Sequence, residues 1–264
     1  MNDVLLSVEN IAKSLGSPPQ TIPIIGSVSF AAHSGDFISI VGPSGCGKTT
    51  LLMCLAGLLK VDAGVVRFDG KPVDEPPEGL SVVFQDYSRS LLPWKSNFDN
   101  VLFGMKRIND MDQAAKRAWA AELMVSVGLK GFESHYPWQV SGGMQQRVAI
   151  ARGLAARSRL LLLDEPLAAV DAQTRAEMQD LLLELARKYN QTCVLVTHDV
   201  DEAVYMANRI VVLSKRPTTV VVDIPVELPK PRDQLKTRED PTYLSLRHEV
   251  ITLIRSMRAA PASA

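Results

Sequence analysis

The feature that most restricts the fold of this 264-residue chain is eight residues long. Gly42-Pro43-Ser44-Gly45-Cys46-Gly47-Lys48-Thr49 follows a short β-rich run, Phe37–Val41, and precedes a helical stretch over 48–59. It matches the pattern G-x-x-x-x-G-K-[ST]. Strand, glycine loop and helix in this order form a phosphate-binding unit. Glycines let successive backbone N–H groups turn inward around phosphate oxygens with no Cβ in the way. The helix opened by Lys48 points its positive end at the same anion. Lys48 is placed to neutralise β and γ phosphates, the Thr49 hydroxyl to bind Mg²⁺, and Thr50 to add a hydroxyl at the α phosphate.

A second cluster is expected at the end of another buried strand. Leu160, Leu161, Leu162 and Leu163 lead into Asp164 and Glu165. Ligands of open α/β sheets bind at the carboxyl ends of strands, where this run delivers its two acids. Alone, an apolar run ending in acids is more often a strand meeting solvent; beside the phosphate loop it has a role. Asp164 would hold Mg²⁺ through water. Glu165 would face the γ-phosphate and orient or deprotonate the attacking water. His198 follows a strand over 193–197. A histidine there is ordinarily a surface or capping residue, but its strand is the expected neighbour of the Asp164 strand, which would carry His198 to the γ-phosphate. Gln85 ends a strand over 82–84 and would reach Mg²⁺ or the attacking water; without the rest it reads as a polar strand end. His33, His135 and His248 lie in turn or helix contexts and take no role.

The remaining sequence sets these pieces in an α/β frame. Residues 4–8 and 22–30 alternate apolar and polar, the period of half-buried strands. Residues 61–84 are β-like, broken at Asp62-Ala63-Gly64 and Asp69-Gly70. Residues 97–135 carry Ala, Lys, Glu, Met and Leu at helical spacing and predict a helical lobe. A helix over 171–189 between strands 160–164 and 193–197 gives a βαβ unit, and 210–214 and 220–223 add strands. Pro225, Pro229 and Pro231 then preclude regular helix. Tyr243, Leu246, Val250, Leu253, Ile254 and Met257 recur at helical spacing, and 259–264 is expected to fray.

Composition narrows the class further. Hydrophobic residues make up 46% and charged residues 22%, which excludes a disordered chain. Lys+Arg and Asp+Glu are both 29, so the basic excess of a nucleic-acid binder is missing. No apolar run approaches the ~20 residues that span a bilayer. The first residues lack the basic-then-apolar pattern of a secretory signal. Three cysteines, an odd and sparse set, suit a reducing cytosol. Contact with a membrane would have to come through a partner.

Ser141-Gly142-Gly143-Met144-Gln145-Gln146-Arg147 is a second anion-binding turn opening a helix, and a lone phosphate loop has no need of one. The ordered set of phosphate loop, Gln85, this signature, Asp164-Glu165, Ala168 to Asp171 and His198 resembles the nucleotide-binding subunit of ABC transporters. The resemblance runs over about residues 4–214. It implies a P-loop NTPase fold: a RecA-like α/β core with an N-terminal antiparallel β subdomain and an inserted α-helical subdomain. The ATPase domain would cover 1–240, with the helical subdomain over about 88–156, and an amphipathic helix with a frayed tail would fill 241–264.

The same resemblance implies an ATPase in which two copies pair head to tail around two ATP molecules and Mg²⁺. Each ATP would lie between Gly42, Pro43, Ser44, Gly45, Cys46, Gly47, Lys48, Thr49 and Thr50 of one copy and Ser141, Gly142 and Gly143 of the other. Glu165 is then the catalytic base and His198 the γ-phosphate sensor. Gln85 is catalytic and, with Thr49 and Asp164, a metal ligand. Asp171 lies in the loop crossing the dimer interface. The segment after Gln85, with the helical lobe, would receive membrane permease subunits. A periplasmic or extracellular solute-binding protein would be an indirect partner, and nucleic acid none. The chain would sit peripherally on the cytoplasmic face of the inner membrane. Ser90-Leu91-Leu92-Pro93-Trp94, the SGGMQQR signature and the closing pattern Asp240-Pro241 with Leu246-Arg247-His248-Glu249-Val250 resemble the nitrate/sulfonate/taurine importer ATPases. That narrower likeness implies uptake of a small anion such as nitrate, sulfonate or taurine. Trp94 and Leu92 also read as ordinary core packing.

The chain departs from that pattern in places. Leu15 stands where most relatives carry an aromatic residue stacked on adenine, and no Phe, Trp or Tyr precedes Phe30, itself a core strand residue by its pattern. Weaker nucleotide affinity than in relatives is expected, not lost activity. Val140 and Met144 differ from the commonest signature, and Ala168 to Asp171 lacks a serine found in many relatives. Three rivals remain. A soluble ABC ATPase of DNA repair or ribosomes usually carries tandem cassettes or long inserts, and this chain has one loop and one signature. A P-loop kinase or GTPase needs no SGGMQQR. A binding module using ATP only as a switch needs no Glu165.

Overall fold

The computed structural model describes residues 3–17, 19–86, 90–168 and 170–259. The chain divides into two compact units, one from 1–77 and 192–264, the other from 78–191.

The first unit is built on a sheet of mixed direction. Its strands are β1 (Val4–Leu15), β2 (Ile22–His33), β3 (Phe37–Val41), β4 (Ala63–Phe68), β5 (Lys71–Pro72), β8 (Thr192–Val196), β9 (Arg209–Leu213) and β10 (Thr218–Pro225). They lie in the order β5-β4-β1-β2-β10-β9-β3-β8. The β1, β2, β4 and β5 strands pair antiparallel. The β3 strand lies parallel to both β8 and β9, and every residue of β3 and β8 is buried, as for strands covered on both faces.

β1 runs seven residues past the expected end at Val8. Asn10 has φ 48, and the β1–β2 register shifts between Val8 and Ile11. The bulge changes the phase of burial, so the alternation stops at Val8 while pairing continues to Leu15. Phe30 is buried in β2, as its pattern predicts.

α1 (Lys48–Leu55) ends four residues before the expected Leu59. Gly57 takes φ +68 and donates to the Cys54 carbonyl, while Leu58 donates to Met53, the paired bonds of a Schellman stop. A Cβ at Gly57 would meet the Glu75 carbonyl carbon at 2.5 Å, so only glycine fits this close approach.

Past β10 the proline-rich stretch is pinned without regular structure. The Arg232 guanidinium donates to the carbonyls of Tyr205, Ala207 and Pro229. α6 (Val200–Met206) lies between β8 and β9, and α7 (Lys236–Glu239) and α8 (Pro241–Ala259) follow β10. The predicted C-terminal helix is α8, whose buried Tyr243 hydroxyl donates to Asp201 on α6, joined there by Arg247.

The second unit pairs β6 (Leu80–Val83) parallel to β7 (Leu160–Asp164). Its helices are α2 (Asn97–Phe103), α3 (Gln113–Ser126), α4 (Gly142–Ala155) and α5 (Ala172–Lys188). The stretch read as helical over 97–135 is therefore two helices with turns after each. Gly104 ends α2 where a Cβ would strike the Arg152 carbonyl oxygen at 2.3 Å. Beyond α3, Gly128 and Gly131 take φ of 71 and 89. Trp94 is 71% exposed, which rules out the core-packing reading for it. Among the described residues no helix is long and apolar enough to cross a membrane.

Candidate active site

The phosphate loop leaves the carboxyl end of β3 and runs into α1 as the sequence predicts. Gly45 and Gly47 take φ of 74 and 111, both left-handed. Gly47 is the residue capping α1, and it offers no side-chain acceptor to the first-turn N–H groups, the arrangement of a helix start that can receive an anion. No acidic residue stands in that turn. A Cβ at Gly42 would come within 2.9 Å of the Leu213 carbonyl oxygen, and one at Gly47 within 2.6 Å of Ile24 Cγ2. The backbone is thus packed closely from behind at both glycines.

Lys48 is only 6% exposed, and its Nζ donates to the carbonyls of Gly42 at 3.0 Å and Pro43 at 3.3 Å. The ammonium is held across the mouth of its own loop. Pro43 closes a turn by accepting from the Cys46 amide at 3.2 Å. Cys46 is buried, and burial raises its thiol pKa against the opposing pull of the Lys48 and Arg216 charges. Ser44 and Thr49 are exposed and Thr50 half-buried. Glycines, a trapped cation and an acid-free helix start fit a polyphosphate.

His198 stands in the same unit. The Thr197 amide donates to the Ile40 carbonyl at 3.1 Å, so His198 leaves the sheet at the edge from which the phosphate loop emerges. Asp199 behind it caps α6, accepting from the Glu202 amide at 3.1 Å, and His198 itself is exposed.

In the second unit, Gln85 and Glu165 each follow the β6–β7 pair by two residues, past Val83 and Leu163, which are register partners. Gln85 Nε2 donates to Glu165 Oε2 at 3.4 Å. Asp164, at the end of β7, is 3% exposed. Glu165 takes φ 43, a left-handed backbone that a residue with a Cβ adopts at a cost of roughly 1–3 kcal/mol. Ser141 caps α4, accepting from the Met144 amide at 3.3 Å, with Gly142 and Gly143 as its first helical residues and no acid in the turn. Thr174 Cγ2 lies 3.2 Å from where a Gly143 Cβ would be, so a larger residue would crowd it. Asp171 caps α5, accepting from Gln173 at 3.1 Å and Thr174 at 3.0 Å; these bonds, the Thr174 hydroxyl first, hold its carboxyl below the usual carboxylate range.

Two residues beside the phosphate loop escaped the sequence reading. Lys215 and Arg216, at the turn between β9 and β10, line an open cavity of about 490 Å³ together with Pro43, Ser44, Gly45 and Cys46. Nothing in their spacing from Lys48 signals this. The β9–β3 pairing brings them there.

Residues 25–168 match the ABC transporter family. The chain is 43% identical over 235 residues to the nitrate import ATP-binding protein NrtC of Synechococcus elongatus, covering 88% of this chain but 35% of that longer protein. It is 41% identical over 242 residues to the taurine import ATP-binding protein TauB of Yersinia pestis, 89% of this chain and 93% of TauB. Among solved structures, the dimeric ATP-binding cassette MJ0796, in a post-hydrolysis state bound to ADP and Pi, superposes with a TM-score of 0.73. Its identity is 31%, and the match covers 84% of this chain and 99% of that one. The family match spans the phosphate loop, the signature turn and the β7 acids alike, and the chain belongs to the ABC transporter family as one of its ATP-binding, ATP-hydrolysing subunits.

Proposed function

We propose that this subunit energises uptake of a small anion through a membrane permease, working as one of a pair that closes around two MgATP. The observation carrying the reading is the phosphate loop: left-handed glycines, a helix start with no side-chain cap and no acid, and a buried lysine. Lys48, the loop amides and Thr50 hold the phosphates. Ser141, Gly142 and Gly143 serve as the anion turn that the second copy presents to them, with Asp171 in the adjoining loop. Thr49, Asp164 and Gln85 supply hydroxyl, carboxylate and amide oxygens, the hard donors Mg²⁺ prefers. Bound there, Mg²⁺ would neutralise charge on the phosphate oxygens. Glu165 accepts the proton of the attacking water, Gln85 fixes that carboxylate by its amide, and His198 senses the γ-phosphate. We further assign 1–240 as the ATPase domain, with the helical subdomain over about 88–156, of which 88–89 lie outside the described residues. Residues 241–264 are an appended amphipathic helix and frayed tail, of which 260–264 lie outside them.

Support for the partners comes from relatives. NrtC and TauB are by name ATP-binding proteins of nitrate and taurine import, and MJ0796 was solved as a dimer. A membrane-peripheral location at the cytoplasmic face, reached through a permease and served from outside by a solute-binding protein, follows from the reading. Tagged Glu165→Gln, recovered with ATP from gently solubilised membranes, tests it. A multi-spanning permease among the partners is the expected result; soluble proteins or nucleic acid alone, under several detergents, would overturn it.

A further inference from the structure

The phosphate loop is walled on one side by a β-hairpin turn that carries two cations. Ser214 and Thr219 close this turn: the Ser214 amide donates to the Thr219 carbonyl and the Thr219 amide to Ser214 Oγ, both at 2.9 Å. The turn is tied to the loop itself. The Thr218 hydroxyl donates to the Cys46 carbonyl, and the bare Cα of Gly42 rests on Leu213. The loop and the turn therefore keep a fixed separation.

Between them lies the cavity of about 490 Å³ lined by Pro43, Ser44, Gly45, Cys46, Lys215 and Arg216. Arg216 is exposed to it, and its Nη2 stands 3.6 Å from where a Cβ on Gly45 would be. Glycine at 45 leaves that space open. The charge of Arg216 also reaches the loop, since it opposes the burial that raises the Cys46 thiol. Lys48, by contrast, is buried and already shared between two carbonyls. A nucleotide polyphosphate carries more negative charge than one ammonium offsets, and a guanidinium matches phosphate oxygens in a forked geometry.

We infer that Arg216, with Lys215 beside it, is a nucleotide-binding residue that contacts the polyphosphate held by the Gly42–Thr49 loop from the hairpin side. The inference rests on the reading of that loop as the ATP site. It also gives a chain with Leu15 in place of an adenine-stacking aromatic a second source of affinity, through the phosphates rather than the base.

The test is equilibrium binding of ATP, ADP and AMP to the full chain without Mg²⁺, read by displacement of fluorescent N-methylanthraniloyl-ADP. Arg216→Ala is expected to weaken ADP binding about tenfold, the lower end for a hydrogen bond to a charged group. The loss should grow from AMP to ADP to ATP, and Arg216→Lys should restore part of it. An Arg216→Ala chain that binds ADP as tightly as the parent, or loses the same factor for all three nucleotides, overturns the inference. Arg216→Gln, which keeps most of the stem, repeats the test should the alanine variant melt early. Lys48→Ala separates the two readings. A parent that binds ADP and a Lys48→Ala chain that does not uphold the loop whatever Arg216 does; a parent that binds no nucleotide removes both.

Discussion

Gln85 and Glu165 meet at 3.4 Å because their strands end in register, Val83 opposite Leu163. The amide donates to the carboxylate, so it orients the group and is compatible with the proton-accepting role proposed for Glu165. Glu165→Gln is expected to lower phosphate release by about 10²–10⁴-fold, the usual worth of a positioned general base, while nucleotide binding persists. Parental turnover in that variant would remove Glu165 from the reaction. With ATP present the variant should also run as a dimer on a sizing column with light scattering.

Leu15 ends β1 opposite Ile22 and is 39% exposed. An aromatic ring there would gain a face for adenine worth about 0.5–1.5 kcal/mol. Leu15→Tyr is expected to tighten ATP binding about two- to tenfold by titration calorimetry. No change would mean that the base lies elsewhere.

Gly57 tests the stop of α1 independently of nucleotide. Its φ of +68 costs a residue with a Cβ about 1–2 kcal/mol, before the contact with Glu75 backbone is counted. Gly57→Ala should lower the melting temperature by about 2–4 °C for each kcal/mol lost, and an unchanged melt would show that the turn can relax.

Asp171 gives a pH dependence with a definite sign. Its carboxyl is held below the usual range by Thr174 and Gln173. The cap's charge-dependent stabilisation is therefore complete above the unfolded value near pH 4 and fades as pH falls through the lower folded value. Thermal melts of parent and Asp171→Ala should differ at pH 7 and draw together as the pH falls below the unfolded carboxylate value and through the lower folded one. A gap that stays constant with pH would assign the cap to neutral hydrogen bonding.

The parts of the site legible in the sequence are those made by neighbours along the chain. Gly42 to Thr49, Ser141 to Gly143, and Asp164 with Glu165 each form within one strand-loop or loop-helix step, so spacing alone exposes them. Element ends were less legible, for local reasons. Asn10 shifts the phase of β1, so alternation disappears while the strand goes on. Gly57 halts α1 inside a run of apolar residues that looks helical to Leu59. Lys215 and Arg216 were invisible because their approach to the loop depends on β9 lying beside β3, a pairing between segments about 170 residues apart.

Hairpin tips are usually the places where a protein accepts added residues most readily. The tip over 214–217 should be an exception. One of its flanking strands, β10, is paired on one edge with β9 and on the other with β2 through Thr218↔Ile25 and Thr219↔Ser27. It is thus the seam joining the antiparallel strands of this unit to the parallel ones. Through Thr218 the same seam is fastened to the Cys46 carbonyl. Lengthening this turn would loosen a sheet junction and a phosphate loop at once. Variation in its length is therefore closed to this chain, and any tuning of the contact made by Lys215 and Arg216 has to come from side-chain identity alone.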